Sequence, residues 1–116
     1  MSTLKTNTIK NTDDVEMYLA KAWVNFNGTG TVAIRAAGNV SSITDNGTGN
    51  YTVNFTTAMP DANYAVGASA GNGGGATRVI SSGYADTPTT LSTKVTVRDA
   101  AFSTVDTEYV SVAIFR

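Results

Sequence analysis

From residue 22 onward, apolar and polar side chains alternate with a period of two, the spacing that sends successive side chains to opposite faces of a strand. Ala22, Val24 and Phe26 fall on one face of the first run, with Trp23 and Asn25 on the other. Asn27-Gly28 ends the run and predicts a hairpin whose return strand, residues 31–35, turns Val32 and Ile34 inward. Residues 39–44 then lead into Asp45-Asn46-Gly47-Thr48-Gly49, read as a type I′ turn, after which Tyr51, Val53 and Phe55 alternate with Thr52, Asn54 and Thr56. Met59-Pro60-Asp61 interrupts the ladder because proline has no N–H to donate, and Tyr64, Val66 and Ala68 mark a further strand over residues 63–69.

Beyond a glycine-rich stretch, residues 71–75, a strand is expected over residues 78–84 and a turn at Asp86-Thr87-Pro88. Leu91, Thr93, Val95 and Val97 alternate up to Arg98. Residues 109–115 are apolar on nearly both faces, which predicts a strand that is central or covered. Upstream, residues 2–11 read as an arm or edge strand. Thr12 is placed to cap a short helix with Asp13, Asp14 and Glu16 at its positive end and Val15, Tyr18, Leu19 and Ala22 on one face. The expected architecture is all-β, an antiparallel β-sandwich of jelly-roll-like type over residues 22–116, preceded by an arm and a one- to two-turn helix over residues 1–21.

Composition narrows the function. With 116 residues one domain is expected, and only 15% of them are charged, while Thr, Ser and Asn together make up about a third, so the polar surface is hydroxyl and amide. A net charge of −1 with scattered Lys and Arg leaves no basic stripe for nucleic acid. No apolar run reaches the length of a membrane span, and residues 1–14 lack the hydrophobic core of a secretion signal, so a soluble protein made in the cytoplasm is expected. The absence of cysteine and histidine excludes disulfides, thiolate sites and imidazole-based catalysis or zinc binding.

The remaining motifs have structural explanations. Gly71-Asn72-Gly73-Gly74-Gly75 is not followed by the Gly-Lys-Ser/Thr of a phosphate loop, so it reads as a flexible hairpin tip whose backbone can approach a ligand closely. Residues 45–50 are rich in oxygen but contain a single carboxylate, Asp45, too few for a calcium loop. The acidic side chains fall mostly at turns and strand ends, where Asp serves the backbone, so no pair is singled out for glycoside hydrolysis. Trp23 is expected in a core or interface rather than as a sugar platform. The reading is a non-enzyme that needs no cofactor or metal.

The block KAWVNFNGTGTVAIR, followed by NVSSITDNGTGNYTVNFTTAMPDANY, resembles a segment recurrent in tail-fibre and related virion proteins of tailed bacteriophages, notably marine and cyanobacterial ones. The lead TLKTNTI is similar to the stretch that often precedes it, so the likeness spans residues 3–68 and is densest over 21–64. The resemblance implies a β-rich distal fibre module, commonly a homotrimer, that meets the host surface; it supplies no binding residues. A virion location, contacts with other virion proteins and attachment to a host cell-surface glycan follow as expectations, with the variable second half carrying the contacts. Asn72, Arg78, Tyr84 and Phe102 are the candidate ligand-binding residues, offering an amide, a guanidinium and aromatic faces. A capsid decoration or cement protein gripping the lattice through residues 2–11, and a stand-alone carbohydrate-binding module, are the competing expectations.

Overall fold

The computed structural model describes residues 8–82 and 87–116. Among them the chain forms strands only: β1 (Ile9–Lys10), β2 (Glu16–Met17), β3 (Ala22–Asn27), β4 (Ala33–Gly38), β5 (Val40–Gly47), β6 (Asn50–Phe55), β7 (Ala65–Gly71), β8 (Val79–Ser82), β9 (Ser92–Arg98) and β10 (Tyr109–Phe115). Two four-stranded antiparallel sheets, ordered β4-β3-β10-β7 and β5-β6-β9-β8, share one core, while β1 and β2 pair as a separate ribbon. The doubly apolar β10 lies between β3 and β7, as its composition predicts.

The period of two decides what is buried. On β3, Ala22, Val24 and Phe26 are inside, and on β6, Tyr51, Val53 and Phe55 face them from the other sheet. Val95 and Val97 of β9 and Val110, Val112 and Ile114 of β10 complete the centre. Removing each large side chain from water contributes about 1.5–3 kcal/mol. Edge-to-face aromatic pairs brace the core: Phe26 against Tyr51 at 5.2 Å between ring centroids, and Phe55 against Tyr64 at 5.7 Å.

The outward face of β5-β6-β9-β8 accounts for the low charge content. Asn54 Nδ2 donates to Ser42 Oγ and Thr44 Oγ1, Asn46 Nδ2 donates to Thr52 Oγ1, and Thr96 Oγ1 donates to Asn50 Oδ1. These cross-strand amide–hydroxyl bonds knit the outward face of the sheet.

Antiparallel pairing within each sheet, with hydrogen bonds between the sheets at both extremities, gives the molecule two ends. Residues 28–32, 48–49, 72–78 and 99–108 form the loop end; residues 8–21, 56–64 and Arg116 form the arm end. The chain changes sheets at the arm end through Asn39, at φ 54°, a left-handed backbone that Asn tolerates better than most residues. Its Nδ2 donates to the carbonyls of Lys21 and Thr57, and its Oδ1 accepts the Thr57 N–H at 2.7 Å.

Three expectations need correction. Residues 12–22 form no helix: Asn11 Oδ1 accepts the N–H groups of Asp13 and Val15, Asp14 turns at φ 64°, and β2 returns against β1. The turn of the β5–β6 hairpin falls on Thr48 and Gly49, and of these two only Gly49 has positive φ, which excludes the expected type I′. Ile34 pairs with the inward Phe26, on the face that the alternation predicts, yet stays 38% exposed because β4 is an edge strand. A jelly roll passes from sheet to sheet at nearly every step, whereas β3–β4 and β5–β6 remain hairpins within one sheet. The turn expected at Asp86 lies partly outside the described residues.

Candidate functional site

Three of the four residues singled out from the sequence lie at the loop end. Asn72 follows β7, and its Oδ1 accepts the Ala76 N–H at 2.9 Å, closing the glycine-rich loop on itself. Arg78 precedes β8; its Nη1 donates to the Thr77 carbonyl, and its Nε is buried without a hydrogen-bond partner among the described residues. Phe102 stands at the tip of the β9–β10 connection, 73% exposed and at φ 63°. A bulky side chain in that region is strained, and the Asp99 carboxylate imposes the turn by accepting the N–H groups of Ala101 and Ser103. The register Val79↔Arg98 puts Arg78 beside the start of the Phe102 loop, yet no hydrogen bond or ring contact joins the three side chains. Tyr84 lies outside the described residues.

A second grouping, spread over three distant segments, appears on the outward face of β4-β3-β10-β7. Trp23 is 43% exposed there, so it is not a core residue. Register sets Trp23 beside Ala113 and Gly67, and in the next row Asn25 beside Ser111 and Ser69. Together they border an open groove of about 510 Å³. The indole leans over β4 at Gly38, where an added Cβ would fall 2.9 Å from Cδ1 and closer still to Nε1. Glycine at position 38 is therefore what lets Trp23 take this pose.

Asn25 is held in turn. Arg35 Nη1 donates to Asn25 Oδ1 at 3.1 Å and Nη2 donates to the Glu108 carbonyl at 2.7 Å, while the guanidinium carbon sits 4.6 Å from the centre of the Tyr109 ring. Tyr109 and Phe115 occupy the two ends of the same face of β10, and both are exposed. The sequence marks these positions only as the outward half of each alternation; nothing local says that β3, β7 and β10 are neighbours.

At the arm end a cleft of about 550 Å³ separates the β1–β2 ribbon from the body, lined by Met17, Tyr18, Leu19, Asn63 and Phe115 among others. Tyr18, Leu19, Val15 and Met17 are all exposed on this ribbon. Beside the cleft Arg116 and Asp61 form a two-pronged ion pair at 2.9 and 2.7 Å, which holds the Asp61 carboxyl at about 2. Among the described residues no three acidic side chains gather where they would hold a metal ion, and no helix is long and apolar enough to cross a membrane. No family model, curated protein or solved structure matches the chain.

Proposed function

We propose that the chain is a virion structural protein of a tailed bacteriophage, a tail-fibre-like β-sandwich module acting as a homotrimer, anchored at the arm end and presenting its loop end to the host surface. The resemblance over residues 3–68 supplies the virion context. The trimer rests on the same resemblance, and one structural observation supports the polarity: the arm ribbon and the loops bearing Asn72, Arg78 and Phe102 lie at opposite ends of a body whose longest extent is 45 Å. Exposed loops on a rigid β scaffold are suited to recognition, and a phenylalanine held in a strained, exposed turn is suited to contact with a partner surface. In this reading the loop end meets a surface glycan through the Asn72 amide, the Arg78 guanidinium and the Phe102 ring.

A peptide epitope inserted after Gly74 and another placed ahead of Thr8 test the polarity on purified particles. Antibody reaching the loop epitope but not the arm epitope supports the assignment; the reverse pattern ends it. Light scattering on the isolated protein checks the trimer.

The exposed Val15, Met17, Tyr18 and Leu19 favour a second reading, in which the arm grips a capsid lattice as that of a decoration or cement protein does. Deleting residues 1–20 then abolishes capsid occupancy and leaves the oligomer intact. Unchanged occupancy rules it out.

A further inference from the structure

The geometry points to the outward face of β4-β3-β10-β7 as a binding site for a neutral oligosaccharide, with Trp23 as the stacking wall and Asn25, Ser69 and Ser111 as hydrogen-bonding groups beside it. This site is on the flank of the molecule, apart from the loop end, and it holds whether or not the chain belongs to a virion.

A pyranose ring has a flat C–H face and a rim of hydroxyls, so it requires an apolar plate next to neutral donors and acceptors. The register supplies both in adjacent rows: Trp23, Ala113 and Gly67 in one, Asn25, Ser111 and Ser69 in the next. Rows on one face of a strand are two residues, about 7 Å, apart. Gly67 leaves the floor low, since a Cβ built there meets nothing nearer than the Ala113 carbonyl at 3.9 Å. The groove volume lies within the range of about 300–1,000 Å³ usual for ligand sites.

The polar row is set in advance. Arg35 occupies Asn25 Oδ1, which leaves the amide N–H groups to donate, and Arg35 is itself fixed by the Glu108 carbonyl and the Tyr109 ring. The hydroxyls of Ser69 and Ser111 have no hydrogen-bond partner among the described residues, so both remain to donate and accept. Arg35 is the one charged side chain that β3, β4, β7 and β10 present on this face, and its Nη1 and Nη2 each donate one hydrogen bond within the protein. An uncharged ligand matches that environment.

A second copy of the chain is the competing occupant of this face, and the concentration series below separates it from a saccharide.

Trp23 is the sole tryptophan, so its emission reads the site directly. Titration of the purified protein with dextran, galactomannan and xyloglucan oligomers is expected to give a saturable change in emission with at least one of them. Gly67→Gln fills the floor without touching the indole; it is expected to weaken that binding at least about tenfold while the melting temperature holds, and Trp23→Phe to weaken it about as much in affinity electrophoresis. The proposal is overturned if none of the neutral probes changes the emission, if Gly67→Gln responds as the parent does, or if only acidic polygalacturonate binds. It is also overturned if the emission shifts with protein concentration alone, in step with a rise in solution mass that Gly67→Gln abolishes, for the face is then a contact between copies.

Discussion

The phenol oxygen of Tyr51 lies 2.9 Å from the carboxylate of Asp106, across 55 residues of sequence. It is also 2.8 Å from the Gly28 carbonyl, and Asp106 accepts the Gly49 N–H at 2.9 Å, so one buried tyrosine and one carboxylate tie together three loops at the loop end. Tyr51→Phe keeps the ring but removes the donor. It is expected to cost about 1–3 kcal/mol, the price of a hydrogen bond lost at a buried site. Thermal unfolding checks this, and an unchanged melting temperature would remove Tyr51 from its bracing role.

Burial, and then the hydrogen bond to Asp106, push the Tyr51 phenol well above its ordinary 10.0, and burial also raises that of Tyr64. The folded protein therefore keeps protons that the unfolded chain releases above about pH 10, so this share of stability is complete below that pH and declines as the pH rises beyond it. Absorbance titration should show Tyr51 and Tyr64 ionising at higher pH in the folded protein than in the unfolded chain. Tyr51→Phe should make the alkaline loss of stability less steep.

At the arm end the sign is opposite. Arg116 holds Asp61 at about 2, below its ordinary 3.8. The pair thus favours the folded state above pH 3.8, and its contribution is lost as pH falls through about 2. Carboxyl chemical shifts across an acid titration should give Asp61 the low midpoint, and Arg116→Ala should return it towards the ordinary range. Both groups are well exposed, so the effect on melting should be small and should shrink further in salt.

Gly47 and Gly49 both have positive φ, but their surroundings differ. A Cβ at Gly47 meets open space, so Gly47→Ala should cost only the backbone strain of an L residue held at φ 129°, about 1–3 kcal/mol. At Gly49 a Cβ would come within 2.6 Å of the Val97 carbonyl and 2.8 Å of the Val105 N–H, so Gly49→Ala should be clearly worse. Equal melting temperatures for the two variants would contradict this.

Phe102 offers the reverse case. Replacing a mostly exposed ring at positive φ with glycine relieves strain of about 1–3 kcal/mol against an entropic cost of about 0.5–1 kcal/mol. Phe102→Gly should therefore melt at or above the parent temperature, and under the proposed function it should impair attachment to the host surface. A strongly destabilised variant would show that the ring is structural.

Much of the fold could be read locally because strand polarity is a property of neighbouring residues. The inward sets of β3 and β6 and the central place of β10 follow from alternation and hydrophobicity. The helix reading failed because amphipathic helices gain most of their stability from a surface they cover, and the ribbon that forms instead leaves Val15 and Leu19 exposed. The type I′ turn expected within residues 45–49 did not form because the turn falls on Thr48 and Gly49, of which only Gly49 takes positive φ, a choice supported by the Gly49 N–H bond to Asp106, 57 residues away.

The candidate sites divide in the same way. Asn72, Arg78 and Phe102 were visible as loop chemistry, since glycine, turn residues and isolated aromatics stand out in a β sequence. The Trp23 groove was not, because its rows are assembled from β3, β7 and β10. From alternation alone, Trp23 is known to face away from Phe26. Whether that outward side meets a core, a partner or water depends on sheet order and on which strands lie at the edge, and those are set by long-range pairing that no local pattern encodes.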